Sequence, residues 1–138
     1  GLVVGYGSAS CPGWLNLLNR VRTPFNINRS AQAAAVVALG DQQHVNDSIA
    51  LVSAQRDMMS AQLTALGFRV APSCANFLFF DCGQPAAELA QRLLCDGVII
   101  KPWREKGYEH WIRVSVGNEQ DNQQFIRSLK RILAEDAA

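Results

Sequence analysis

From Phe68 onward the chain alternates two kinds of segment: short apolar runs too brief for a helix, and longer stretches whose apolar residues recur every three or four positions. This alternation constrains the fold more than any other feature, because it calls for a sheet with helices packed on it. Phe68-Arg69-Val70 reads as a short strand, and Ala75 to Asp81 as a second one rich in aromatics. Pro85 to Cys95 reads as a helix burying Leu89, Leu93 and Leu94, with Gly97 as its stop. Val98-Ile99-Ile100 is a β-branched strand, followed by a charged loop from Pro102 to His110. Trp111 to Val116 alternates, with Ile112, Val114 and Val116 on one face and Arg113 and Ser115 on the other. Asn118 is placed to cap a last helix whose stripe is Phe125, Leu129, Ile132 and Leu133.

The upstream part is more helical. Leu2 to Tyr6 reads as a short buried strand. Ser10 is a plausible N-cap, with Pro12 in the first turn of a helix presenting Trp14, Leu15, Leu18 and Val21 until Pro24 interrupts it. Ser30 can cap a second helix along the alanine-rich run Ala31 to Leu39, which Gly40 ends. Asp41 to Gly67 is a long amphipathic helix with Ile49, Val52, Met59, Leu63 and Leu66 on its stripe, and Arg56 in the remaining place. The expected class is α/β, an α+β sandwich in which a small mixed sheet is covered by helices. A boundary is expected near Gly40, separating a strand-plus-helix segment, 1–40, from a compact lobe, 41–138. The chain opens on a strand-like run without an initiator methionine, so it reads as part of something longer.

Thirteen basic residues against twelve acidic ones give a formal charge of +1, so nothing suggests nucleic acid or an anionic membrane as partner. The four cysteines, Cys11, Cys74, Cys82 and Cys95, form no CxxC pair and no zinc spacing. They read as reduced core or near-core thiols, no metal site is expected, and the compartment expected is the cytoplasm.

Arg113 is the leading candidate for chemistry. A guanidinium on a rigid strand suits bidentate recognition of a carboxylate or phosphate; the alternatives are a structural ion pair or exposure on the strand's polar face. Lys101, ending a strand beside Arg104 and Lys106, is a second cation that by itself reads as a solvated surface lysine. Asn26 and Asn28 can cap the helix at Ser30 or face a ligand. His44 and His110 have no partner at catalytic spacing, and no Ser/His/Asp triad, Cys/His pair or phosphate loop is present. The residues therefore offer an anion-binding arginine and no catalytic group.

Several segments in order carry a resemblance: Gly1-Leu2-Val3-Val4-Gly5-Tyr6-Gly7, Arg20-Val21-Arg22-Thr23-Pro24-Phe25-Asn26-Ile27-Asn28, Ala31-Gln32-Ala33-Ala34, Ser73-Cys74-Ala75-Asn76-Phe77, Gly97-Val98-Ile99-Ile100-Lys101-Pro102-Trp103, and Gly107-Tyr108 through Arg113-Val114-Ser115-Val116-Gly117. Together they resemble the C-terminal part of fold-type-I pyridoxal-phosphate aminotransferases, most closely the histidinol-phosphate branch of histidine biosynthesis. The resemblance implies the small C-terminal domain of such an enzyme, which is a cytoplasmic dimer moving an amino group between an amino donor and a 2-oxo acid. It implies that Arg113 is the substrate-anchoring arginine, that Lys101 is a second basic position near the same anion, and that Asn26 and Asn28 lie near the cofactor cleft or dimer contact.

The departures from that pattern carry expectations too. The Schiff-base lysine of the family precedes the segment matching Gly1-Leu2, and Lys101, Lys106 and Lys130 do not match it. Val3 stands where the family has an arginine for the cofactor phosphate. These 138 residues alone are therefore expected to be inactive, with no catalytic residue, and not to bind pyridoxal phosphate. Expected partners are an anionic small molecule and either a large domain or a second copy. The competing expectations are a stand-alone binding or oligomerisation module using the Ala31–Ala38 face, and a fragment of a threonine-phosphate decarboxylase-like enzyme, against which Lys101-Pro102-Trp103 argues.

Overall fold

The computed structural model describes residues 4–24 and 26–136, which fall into two compact units, 1–46 and 47–138. The first holds α1 (Pro12–Val21), α2 (Arg29–Gly40) and the start of α3 (Gln42–Ala65). Leu2, Val3 and Phe25 lie outside the described residues, and Val4–Tyr6, expected as strand, forms none. The cap of α1 also differs from expectation. Cys11 precedes α1 in an extended conformation, one residue after Ser10, because Pro12 already sets the first turn. The N-cap of α2 is Asn28, one of the two asparagines expected to cap this helix or face a ligand; its side-chain oxygen accepts the Ala31 amide at 2.7 Å, and Ser30, also expected as the cap, falls inside the helix.

The second unit holds β1 (Arg69–Val70), β2 (Phe77–Asp81), α4 (Ala86–Cys95), β3 (Lys101–Pro102), β4 (Trp111–Ser115) and α5 (Glu119–Asp136). The strands lie in the order β1-β2-β4-β3, and all three pairings are antiparallel. The sheet was expected to be mixed. β2 and β3 do run in the same sense, but β4 is inserted between them, giving a split β-α-β arrangement. β3 is Lys101–Pro102, not Val98–Ile100. Register with β4 decides this, pairing Lys101 with Arg113 and Pro102 with Ile112.

One face of the sheet carries the core. Leu78, Phe80, Ile112 and Val114 pack with Met59 and Leu63 of α3, Ala86, Leu89 and Leu93 of α4, and Phe125, Ile126, Leu129 and Ile132 of α5. Leu94, expected in the stripe, faces outward, 49% exposed, and Ala86 is buried with Leu89 and Leu93 instead. Gly67 and Gly97 stop α3 and α4 at φ of +89° and +76°, where a side chain would be strained. Asn118 caps α5 as expected, accepting the Asp121 amide at 2.9 Å.

Buried Asn122 was not legible beforehand. Its amide donates to the Gly117 carbonyl and to Gln55 Oε1 and accepts from the Gly117 amide, all at 2.9–3.0 Å. The turn leaving β4 is thereby tied to α5, and α5 to α3. Of the cysteines, Cys82 is buried, and burial pushes its thiol up, while Cys11, Cys74 and Cys95 are exposed instead of near-core. No described helix is long and apolar enough to cross a membrane.

Candidate anion-binding site

The face of the sheet away from the core is set by the same registers. Directly opposed residues in an antiparallel pair point to the same side. Phe79 opposes Arg113, Arg113 opposes Lys101, Asp81 opposes Trp111 and Phe77 opposes Ser115. Lys101 and Arg113, twelve residues apart in the chain, are thus brought side by side on one row.

The floor of this row is aromatic. Phe79 contacts Trp103, Tyr108 and Trp111, with ring centroids 5.4, 6.1 and 4.7 Å away. The loop between β3 and β4 supplies Trp103 and Tyr108, which fold back over the strands. Each cation lies over a ring: the Arg113 guanidinium 5.1 Å from the centroid of Phe77, and Lys101 Nζ 4.9 Å from that of Trp103. Phe77, Phe79, Trp103, Tyr108 and Arg113 line an open depression of about 330 Å³.

The electrostatics are one-sided. Among the described residues neither Arg113 nor Lys101 makes an ion pair. Arg113 Nε is buried without a hydrogen-bond partner, a costly state for a charged donor. The carboxylate on this face, Asp81, is taken by Arg69 at 3.0 Å and by the Gly83 amide at 3.0 Å. The Gly83 hydrogen bond and the Arg69 guanidinium together hold its carboxyl below the usual value, against a smaller opposing effect of burial. A carboxyl whose pKa is lower in the folded chain stabilises the fold fully above its unfolded pKa, about 3.9, and loses that contribution as pH falls through the folded value. The Asp81→Asn variant is therefore expected to show a flatter fall in Tm than the parent between pH 5 and pH 2 (rough bounds).

Asn28 spends its side-chain oxygen on the helix cap, and Asn26 is exposed; both belong to the 1–46 unit. Val3 lies outside the described residues. No group of three or more metal-ligating side chains occurs among the described residues. Sequence reasoning missed Trp103, Tyr108 and Phe77 as the floor of the site. An aromatic-rich strand was visible, but the face it presents depends on register.

A two-layer lobe with this split topology and a cationic row on its open face belongs with a known class. The aminotransferase class I and II family matches residues 1–129, and the chain belongs to that family. Its relatives include histidinol-phosphate aminotransferase 1 of Mesorhizobium japonicum, 46% identical over 133 residues, and histidinol-phosphate aminotransferase 3 of Rhizobium meliloti, 44% identical over 134. These alignments cover 96% and 97% of this chain and 36% of each relative, so the chain spans about a third of their length. Among solved structures, a putative aminotransferase from Burkholderia pseudomallei superposes with a TM-score of 0.77 at 28% identity, over 87% of this chain and 37% of that one. The histidinol-phosphate aminotransferase from Sinorhizobium meliloti, solved with pyridoxal 5'-phosphate, shares the fold at a TM-score of 0.80 and 24% identity, over 90% of this chain and 35% of that one.

Proposed function

We propose that this chain is the substrate-anchoring part of a histidinol-phosphate-type aminotransferase, and that Arg113 and Lys101 hold the anionic end of the substrate. The observation that carries this reading is the buried, unpartnered Nε of Arg113 in register with a second uncompensated cation. Arg113 offers a planar fork that two oxygens can meet at once, and Lys101 adds a point charge. A phosphate dianion neutralises both, whereas a carboxylate leaves one positive charge unmet. The aromatic floor excludes water from one side of the anion and strengthens the attraction. In the whole enzyme these residues would bind and orient, so that substrate positioning is their contribution to rate.

Pyridoxal phosphate, the family's cofactor, supplies the electron sink of amino-group transfer. The described residues do not fit its chemical demands. Asp81 is already committed to Arg69 and Gly83, and is not free for a ring nitrogen. Lys101, Lys106 and Lys130, the lysines of these 138 residues, do not match the family's Schiff-base position.

The test is a titration of the 138-residue chain with inorganic phosphate and with acetate, followed by tryptophan fluorescence, since Trp103 lies under Lys101. Saturable quenching by phosphate, with weaker binding of acetate, is expected; equal affinities would refute the two-cation reading. Borohydride treatment in the presence of pyridoxal phosphate is expected to trap no adduct on a single lysine, and a stoichiometric adduct would overturn the assignment of this chain as non-catalytic by itself.

A further inference from the structure

We infer that Ser73 is a positioning residue of the anion site, acting on Arg113 through Phe77; the inference rests on reading Arg113 as the anion fork. Arg113 has no carboxylate to hold it, so its place is set by packing, and the ring beneath its guanidinium is Phe77. Phe77 is the first residue of β2, where a strand is most prone to fray. On the β4 side, the Asn76 carbonyl accepts from the Val116 amide at 2.9 Å, which directs the carbonyl of Phe77 to the opposite side, toward β1.

There the backbone ladder runs out. β1 pairs Arg69 with Asp81 and Val70 with Phe80, and the Ala71 amide still reaches the Phe79 carbonyl at 2.9 Å. The next residue, Pro72, falls at a non-hydrogen-bonded position of this ladder, where its lack of an amide hydrogen costs no bond to β2. Continuing the register places Ser73 opposite Phe77, at the next hydrogen-bonded position, and there its hydroxyl makes the bond that a backbone amide makes at Ala71. Ser73 Oγ donates to the Phe77 carbonyl at 2.7 Å and accepts from the Ala75 amide at 3.1 Å. Arg56 of α3 braces the same turn, donating from Nη1 to the Ala75 carbonyl at 3.3 Å. Ser73 thus closes the end of β2 on the face that carries Arg113, one row away from it, without touching the anion.

The experiment compares the parent chain with Ser73→Ala, Ser73→Thr and Arg113→Ala, titrating inorganic phosphate and recording the Arg113 Nε–H resonance by NMR. Ser73→Ala is expected to weaken phosphate binding about five-fold, the effect of one hydrogen bond, and to broaden the Nε–H signal. Ser73→Thr, which keeps the hydroxyl, is expected to restore both. If Ser73→Ala binds like the parent while Arg113→Ala does not, the positioning role is refuted and the anion site stands. If Ser73→Ala loses binding and Ser73→Thr fails to restore it in a chain with parental Tm, the hydroxyl is irrelevant and the inference also falls. If the parent binds no phosphate, or Arg113→Ala binds as well as the parent, the underlying reading fails together with the inference.

Discussion

Arg113→Ala should weaken binding of inorganic phosphate by about 10- to 100-fold, because hydrogen bonds from a charged donor contribute roughly 1.5–3 kcal/mol. The effect should be large because removal is not compensated locally: among the described residues no other guanidinium shares the Lys101 row. Arg113→Lys should recover only part of the loss, since an ammonium restores the charge without the fork. Far-UV circular dichroism and Tm should change little in both variants, because Arg113 lies on the open face and makes no ion pair among the described residues. A titration in which Arg113→Ala matches the parent would remove the main support for the anchoring role. Raising the salt from 0.05 to 0.5 M (rough limits) should weaken the parent more than Arg113→Ala, because screening acts on charges this close to solvent.

Phe80→Ala should destabilise the chain by about 3–5 kcal/mol, a large share of the roughly 5–15 kcal/mol typical of a domain. Phe80 has no exposed surface and sits at the centre of the sheet, its ring 5.5 Å from that of Phe68 and 6.5 Å from that of Phe125. It opposes Ile112 in the register, so the cavity would open under β4 as well as under β2. Urea unfolding is the measurement: the midpoint should fall with the slope unchanged. A loss below 1 kcal/mol (an approximate limit) would mean that neighbouring helices close the gap, and that the core is less tightly determined than its burial indicates.

These two residues sit on opposite faces of the same two strands, and the sequence disclosed them unequally. The alternation in Trp111–Val116 separated Ile112 and Val114 from Arg113 before any coordinates, because side chains in a strand point to the two faces in turn. The helical stripes through Met59 and Leu63, and through Phe125 and Leu129, were readable for the equivalent reason. What alternation cannot provide is register. Val98–Ile100 has the composition of a strand, yet the residues that pair are Lys101 and Pro102, because the sheet is closed by β4 and not by local preference. The adjacency of Lys101 and Arg113 follows from that register alone. The cap of α1 was misplaced by one residue, and the choice at α2 was left open, for a similar reason. Several polar side chains near α1 and α2 can serve, and backbone geometry selects between Ser30 and Asn28. Ser73 gave no signal at all, since its place opposite Phe77 follows from the register of β1 with β2.

The two outer strands have a further consequence. β1 and β3 are two residues each, and β3 ends in Pro102, which cannot donate a hydrogen bond. A growing fibril or a misfolded neighbour needs several consecutive free amides and carbonyls to add a strand, and this sheet presents too few on either border. Its long strands, β2 and β4, are both internal. The sheet therefore gives a neighbouring chain no edge on which to build an ordered aggregate.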